Sequence, residues 1–144
     1  MKVRRSIVAA GAAIVLATTG ALALPALASV HNASTTLKFT AVTNNAVAFT
    51  SNTGGSQETD VNSTGKTIGF DDGYVRLTGK NTATVHAAID TRGGFLYVRF
   101  STANGGKTFT GKVTGGTGAF KGATGTIVGK AITRTKTAVT IIYS

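Results

Sequence analysis

Several residue types are absent or scarce in this sequence of 144 residues. There is no cysteine, which excludes both a disulfide framework and a cysteine nucleophile. The two histidines, His31 and His86, are too few for a histidine-rich metal site. The single proline, Pro25, lies near the N-terminus, so no proline is left to blunt the edges of an open sheet. This absence favours a closed sheet, which has no edges.

The N-terminal segment has the features of an export signal. A positively charged start precedes an apolar stretch from Ile7 to Leu24, and an A-x-A cleavage pattern ends at Ala28. We therefore predict a cleaved signal peptide at 1–28, a flexible leader at 29–34 and a secreted or cell-envelope-associated product. The export route, general secretory or twin-arginine, stays open, and stable membrane insertion is not expected.

The predicted mature chain is basic. Loss of Lys2, Arg4 and Arg5 with the signal leaves twelve basic residues against five acidic ones, a net charge of +7. These cations are spread along the chain, with neither a basic helix nor interleaved aromatic residues, so we expect no nucleic-acid partner. An exported cationic protein can instead adhere to anionic cell-wall polymers or acidic glycans.

Strand-forming and turn-forming residues dominate the chain after the signal. It contains 24 threonines and 17 glycines, and no window has the apolar spacing of an amphipathic helix. Short predicted strands recur at intervals of roughly ten residues, which is typical of an all-β sandwich or barrel. The predicted strands, in a single domain at 35–144, are 35–43, 46–51, 57–62, 66–70, 74–78, 82–90, 94–101, 107–114, 126–132 and 137–143.

Turn residues mark four of the predicted breaks. They are Asn44-Asn45, a loop at 51–56, Asp71-Asp72-Gly73 and Asn104-Gly105-Gly106. Glu58 and Asp60 share a strand face, and with the two aspartates of the third break they make four of the five acidic residues. Because their spacing fits no calcium loop, we expect no metal site.

Glycines cluster around one large apolar residue, Phe120, between Gly111 and Gly129. We predict a tight corner here, because Gly115 and Gly116 can adopt positive φ where the chain reverses. A short helical turn would follow, capped by Thr117 and ended by Gly122 in the left-handed region. Phe120 is then left to plug the space beneath the corner.

Nucleotide binding by these glycines is excluded by their context. The run at 122–125 lacks the following helix and βαβ unit that a dinucleotide fingerprint requires. The Gly-Lys-Thr runs at 65–67 and 106–108 lack the earlier glycine of a phosphate loop. We therefore expect no cofactor.

The glycine corner resembles a signature shared by allene oxide cyclases and dirigent proteins, including short exported bacterial proteins of this barrel class. The matching run is Val113-Thr114-Gly115-Gly116-Thr117-Gly118-Ala119-Phe120-Lys121-Gly122-Ala123-Thr124-Gly125. The resemblance implies an eight-stranded antiparallel barrel with an interior cavity, in a protein that forms dimers or trimers.

The catalytic residues of the plant members do not transfer to this chain. The first predicted strand, 35–43, has neither the glutamate nor the asparagine of the plant cyclases. Asp71-Asp72 is not followed by the proline of the dirigent motif. The catalytic residues are therefore unknown, and any enzymatic activity would be isomerase-like or cyclase-like.

Four residues of the predicted strands are candidate ligand contacts. Arg76 and Arg99 each share a strand face with aromatic residues, and such an arginine can either anchor an anionic ligand or extend into solvent. His86 is either a hydrogen-bonded structural histidine or a polar group facing the lumen. With Tyr97, these residues are the candidate ligand-binding set.

The sequence thus predicts an exported all-β protein, a single eight-stranded antiparallel barrel. It would hold a small apolar or amphipathic molecule in its lumen, with or without steering a cyclisation or coupling. The alternative is a non-enzymatic basic protein that adheres to anionic envelope polymers or glycans. Because strands 94–101 and 138–143 are apolar on both faces, we also predict a homo-oligomer, a dimer or a trimer.

Overall fold

The structure is a computed structural model that describes residues 33–103 and 106–144. The predicted signal peptide, His31 in the leader, and Asn104 and Gly105 of the predicted hairpin lie outside the described residues. In the part of the chain that is described, no helix has the length and hydropathy needed to cross a membrane.

Eight antiparallel strands form a closed barrel in which each strand pairs with its sequence neighbours and the last pairs with the first. The predicted fold, a single eight-stranded antiparallel barrel, is therefore confirmed. The strands are β1 (Thr35–Ala48), β2 (Thr53–Val61), β3 (Thr67–Gly79), β4 (Thr82–Thr91), β5 (Gly94–Ala103), β6 (Thr108–Gly116), β7 (Gly125–Ala131) and β8 (Lys136–Tyr143).

Two predicted breaks are wrong and a third is shorter than predicted, because turn-forming residues lie inside strands. Asn44-Asn45 forms a β-bulge in β1, where the register shifts between Thr43 and Asn45. Asp71-Asp72-Gly73 lies in the middle of β3, and the glycines of the predicted 51–56 loop belong to β2. Pairing with strands on both sides outweighs the local turn preference of these residues, so ten predicted segments become eight strands.

The interior of the barrel is filled by alternate residues of the strands. Leu96, Ile127 and Ile141 are among its most deeply buried side chains. The rings of Phe100 and Phe109 stack with their centroids 4.1 Å apart. A side chain at Gly129 would overlap the ring of Phe109, so the absence of one lets this ring fill the interior. The core therefore lies inside the closed sheet.

The glycine corner forms as a single turn of 3-10 helix, Gly118–Phe120, between β6 and β7. Gly115 and Gly122 have the predicted positive φ angles, 145° and 79°. Gly116 does not have the predicted positive φ. A glycine is needed there for its small size, because a Cβ atom would lie 2.6 Å from the Cβ of Phe120.

Thr117 does not cap the turn through its side chain. Its hydroxyl instead accepts a hydrogen bond from the backbone N–H of Phe95 at 3.0 Å, and its own N–H donates to the carbonyl of Phe95 at 2.8 Å. The prediction of a side-chain cap is wrong because the nearby start of β5 takes the hydroxyl. Thr117 therefore fastens the corner to the sheet.

Phe120 is buried as predicted, with 8% of its surface exposed. Its ring meets the ring of Tyr143 edge-on, at 5.5 Å between centroids and 69° between planes. It also lies against Gly93, where a Cβ atom would come within 3.1 Å of the ring. We call this end of the barrel the Phe120 end and the opposite one, where β1–β2, β3–β4, β5–β6 and β7–β8 connect, the hairpin end.

Candidate functional site

A cavity of about 180 Å³ lies inside the barrel. Much of its wall is apolar, and the largest of its apolar residues are Phe39, Ile89, Phe100, Phe109 and Ile127. Thr102, Gly106 and Thr137 extend the lining to the hairpin end, whereas Phe120 fills the other end. The cavity is therefore a pocket with its floor towards the Phe120 end.

Three acidic side chains on β2 and β3 form one part of the interior, and we call Glu58, Asp60 and Asp71 the lumenal carboxyl cluster. Glu58 and Asp71 are directly opposite each other in the β2–β3 pairing, and both line the cavity. The hydroxyl of Thr43 on β1 donates a hydrogen bond to Oε1 of Glu58 at 3.0 Å. This bond orients one of the two carboxyl groups that line the pocket.

Asp60 is the most buried member of the cluster, with 1% of its surface exposed. As a carboxylate it has no hydrogen-bond donor for either oxygen. When Asp71 is protonated, its hydroxyl can donate to the carboxylate of Asp60. A proton on Asp71 would therefore lower the cost of burying the charge of Asp60.

Burial, together with the nearby charges of Glu58 and Asp60, raises the pKa of Asp71 to about 9. Burial also raises the pKa of Asp60 to about 7, although the hydrogen bond from Asp71 opposes this rise. The pKa of Glu58 is raised by burial and lowered by its bond from Thr43. At neutral pH the cluster thus contains both a proton donor and a proton acceptor, the two roles that acid–base chemistry needs.

This chain matches no family model and no curated protein sequence. Solved structures do match. A pyocyanin demethylase has a TM-score of 0.65 at 16% identity, over 76% of this chain and 100% of the demethylase. An exo-specific intermolecular Diels-Alderase has a TM-score of 0.64 at 10% identity, over 76% of this chain and 97% of that one.

The pterocarpan synthase dirigent protein matches with a TM-score of 0.55 at 15% identity, over 76% of this chain and 82% of the dirigent protein. The chain has the fold of the dirigent and cyclase barrels. At these identities the likeness shows the fold alone, so it confirms the architecture expected from the glycine signature. What the lumen of this dirigent-like barrel binds has to be argued from its own residues.

The four candidate ligand-binding residues lie on the outer face of the barrel. Arg76, His86, Tyr97 and Arg99 are all exposed, and His86 pairs with Tyr74 and Arg99 across the sheet. The interpretation of His86 as a lumenal group is wrong, because its neighbours Val85 and Ala87 take the inward face. A ligand role for the four residues on the outer face stays a prediction.

The lumenal carboxyl cluster was missed by the sequence analysis. Glu58 and Asp60 were placed on one strand face, but nothing in the polar sequence around them marked that face as inward. Asp71 was placed in a turn. Within the described residues, no group of three or more histidine, cysteine or acidic side chains is arranged to hold a metal ion.

Proposed function

We propose that this protein binds a small apolar or amphipathic molecule in the barrel lumen and steers a cyclisation or coupling of it. The observation that carries the proposal is the cavity of about 180 Å³, which combines a largely apolar wall with the lumenal carboxyl cluster. A concave apolar site with a few convergent polar groups of shifted pKa is the usual form of a ligand site. Proteins of this fold that are named for such chemistry, a Diels-Alderase and a dirigent protein, support it.

The two parts of the cavity have different roles in this proposal. The apolar wall binds the molecule and limits the conformations that it can adopt, which brings its reacting ends together. Asp71, when protonated, can donate a hydrogen bond to a carbonyl or other developing anion. Glu58, oriented by Thr43, can accept a proton or stabilise a positive centre.

Native mass spectrometry of protein purified from its own culture medium tests this function and the predicted secretion together. We expect a small molecule bound within the barrel of the wild-type protein. Ala87→Phe, which fills the lumen, should lose it, whereas the matched control Ala88→Phe adds the same ring to the outer face of β4 and should keep it. A wild-type barrel without ligand that also binds no apolar probe contradicts the proposal, as does equal binding by both variants.

The second candidate function, adhesion to anionic envelope polymers or glycans, is favoured by the surface charge. Every lysine and arginine in the described residues is exposed, whereas three of the five acidic residues face the lumen. Adhesion predicts binding to purified cell walls that is reversed by salt near 0.15 M. At this concentration, charges that lie more than about 8 Å apart are largely screened from each other. Salt-reversible wall binding by a protein whose lumen binds nothing would favour this candidate over the first.

A further inference from the structure

We propose that the molecule held in the lumen is an organic cation, such as a protonated amine or an N-heteroaromatic cation, bound against Glu58 and Asp71 on the cavity wall. This inference rests on the proposed function, since it names the chemical class of the ligand for the same cavity. Three features of the lumen carry it: acidity that no cation of the protein balances, the buried Asp60 behind the lining carboxyl groups, and an aromatic wall opposite the acids.

The acidity of the lumen is not balanced by any cation of the protein. All lysines and arginines in residues 33–103 and 106–144, and His86 as well, are exposed on the outside. Glu58 and Asp71 line the largely apolar cavity, and the buried Asp60 lies behind them on the same side of β2 as Glu58. Where a carboxyl group of this set is ionised, a neutral or anionic ligand would leave its charge uncompensated, so a cation fits the cavity better.

Asp60 adds a third acidic group behind the cavity wall. Its carboxylate is 1% exposed and, apart from the proton of Asp71, has nothing to bond to. It does not line the cavity itself, but it points to the same side of β2 as Glu58 and Ser56, which do. A cation bound at Glu58 and Asp71 would therefore also offset the charge of the buried Asp60.

The wall away from the acids suits the body of such a ligand. Phe100 and Phe109, stacked at 4.1 Å, both line the cavity and present aromatic surface to a cation or a flat ring. An apolar cavity of about 150 Å³ is enough to hold a benzene ring. The cavity of about 180 Å³, extended to the hairpin end, therefore suits a ligand with one ring or two fused rings.

Two probes of the same shape test the inference. 1-Naphthylmethylammonium and 1-naphthylmethanol share a two-ring body and differ in charge, and their binding can be followed by titration calorimetry at pH 7. We expect the cation to bind about tenfold to a hundredfold more tightly, as one charge-assisted hydrogen bond would give. The net charge of +7 on the predicted mature chain repels cations, so such a preference must come from the lumen.

Isosteric variants show which carboxyl groups cause the preference for the cation. Glu58→Gln and Asp60→Asn should each reduce the cation's advantage several-fold while leaving the affinity for the alcohol within about twofold. Asp72→Asn is the matched control, because it removes one unit of charge from the exposed, outer face of β3 and should keep the full advantage. Using two lumenal variants protects the test if one of them fails to fold.

The outcomes separate the inference from the function on which it rests. If the alcohol binds as well as the cation, or if Asp72→Asn loses as much preference as the lumenal variants, the cation proposal is overturned and the ligand-binding barrel stands. If neither probe binds to the folded wild-type protein, both proposals are overturned.

Discussion

Burial gives the aspartates of the lumen a proton affinity that an exposed aspartate lacks. An ordinary aspartate is ionised above about pH 4, in the folded and in the unfolded chain alike. Asp60 and Asp71, whose pKa values burial raises to about 7 and about 9, keep protons in the folded protein that the unfolded chain releases. Where the folded state holds more protons than the unfolded state, stability falls as pH rises.

We therefore predict that the free energy of unfolding decreases between about pH 4 and pH 9. The contribution of the raised pKa values is complete below pH 4 and is lost as the folded-state groups ionise near pH 7 and pH 9. Since one pKa unit corresponds to about 1.4 kcal/mol, the loss should be at least ~1.4 kcal/mol. Urea unfolding at pH 5, 7 and 9 measures it.

Asp71→Asn should flatten this pH dependence and be more stable than the wild type at pH 9, because it removes the cost of ionising the pair. Asp90→Asn, a change at an exposed aspartate on β4, is the control and should keep the wild-type slope. A wild-type stability that is constant or rises over this range, with no difference between the variants, would show that the lumenal pair does not hold extra protons.

The lumenal acids also show why the inward face of some strands could not be predicted from the sequence. On β4 the inward face could have been identified, because Val85, Ala87 and Ile89 alternate with polar residues and leave His86 outside. On β2 both faces carry small or polar residues, and on β3 the large Phe70 and Tyr74 lie on the outer face, so no apolar alternation marks the inward face. Only the pairing of Glu58 with Asp71 across closed strands brings these charges into the lumen.

At the scale of elements, the glycine corner was the most predictable part of the chain. Positive φ at Gly115 and Gly122 and the buried ring of Phe120 follow from local residue preferences. The role of Thr117 could not be predicted, because its hydroxyl bonds to Phe95 on β5, 22 residues away in sequence. Local signals fix a turn, whereas the contacts that attach it depend on the sheet around it.

The same corner predicts that Phe120 stabilises the barrel by closing one end. Phe120→Ala should lower the free energy of unfolding by about 3–5 kcal/mol, the usual cost of deleting a buried phenyl ring. Lys121→Ala, at the adjacent exposed position, should change it by less than about 0.5 kcal/mol. Denaturant unfolding of the two variants beside the wild type measures both. Similar losses in the two variants would mean that the ring does not close the end as its contacts with Tyr143 indicate.

At the scale of the whole molecule, closure of the sheet accounts for the absence of proline from the strands. A closed barrel has no unpaired edge to protect, and the first and last strands here pair over eight residues, from Thr35–Tyr143 to Val42–Lys136. The ten predicted segments exceed the eight strands of the predicted and observed barrel, because the long β1 and β3 continue through bulges and turn-forming residues without breaking. Closure of the sheet was therefore predictable from the lack of proline, but the lengths of the strands were not.

The outer face of β3–β5 carries aromatic residues that the closed barrel itself does not need. Phe70, Phe95 and Tyr97 are 55%, 41% and 41% exposed, and the rings of Phe95 and Tyr97 stack at 6.4 Å. Exposed aromatic clusters of this kind mark protein interfaces, and the neighbouring strands of the sheet bring these residues onto one surface. We expect a second copy of the chain to cover this surface, because strands that are apolar on both faces predict a homo-oligomer.

We predict that the protein is a dimer or trimer whose interface includes this surface. Light scattering at micromolar concentrations should give a mass two or three times that of the chain, and Tyr97→Lys should shift it towards the monomer, because a buried lysine without a partner is costly. Thr126→Lys adds the same charge at an exposed position on β7 and should leave the oligomer intact. A monomeric wild-type mass across this range would refute the prediction, and dissociation by Thr126→Lys alone would move the interface to β7, on a surface where Val128 is also exposed.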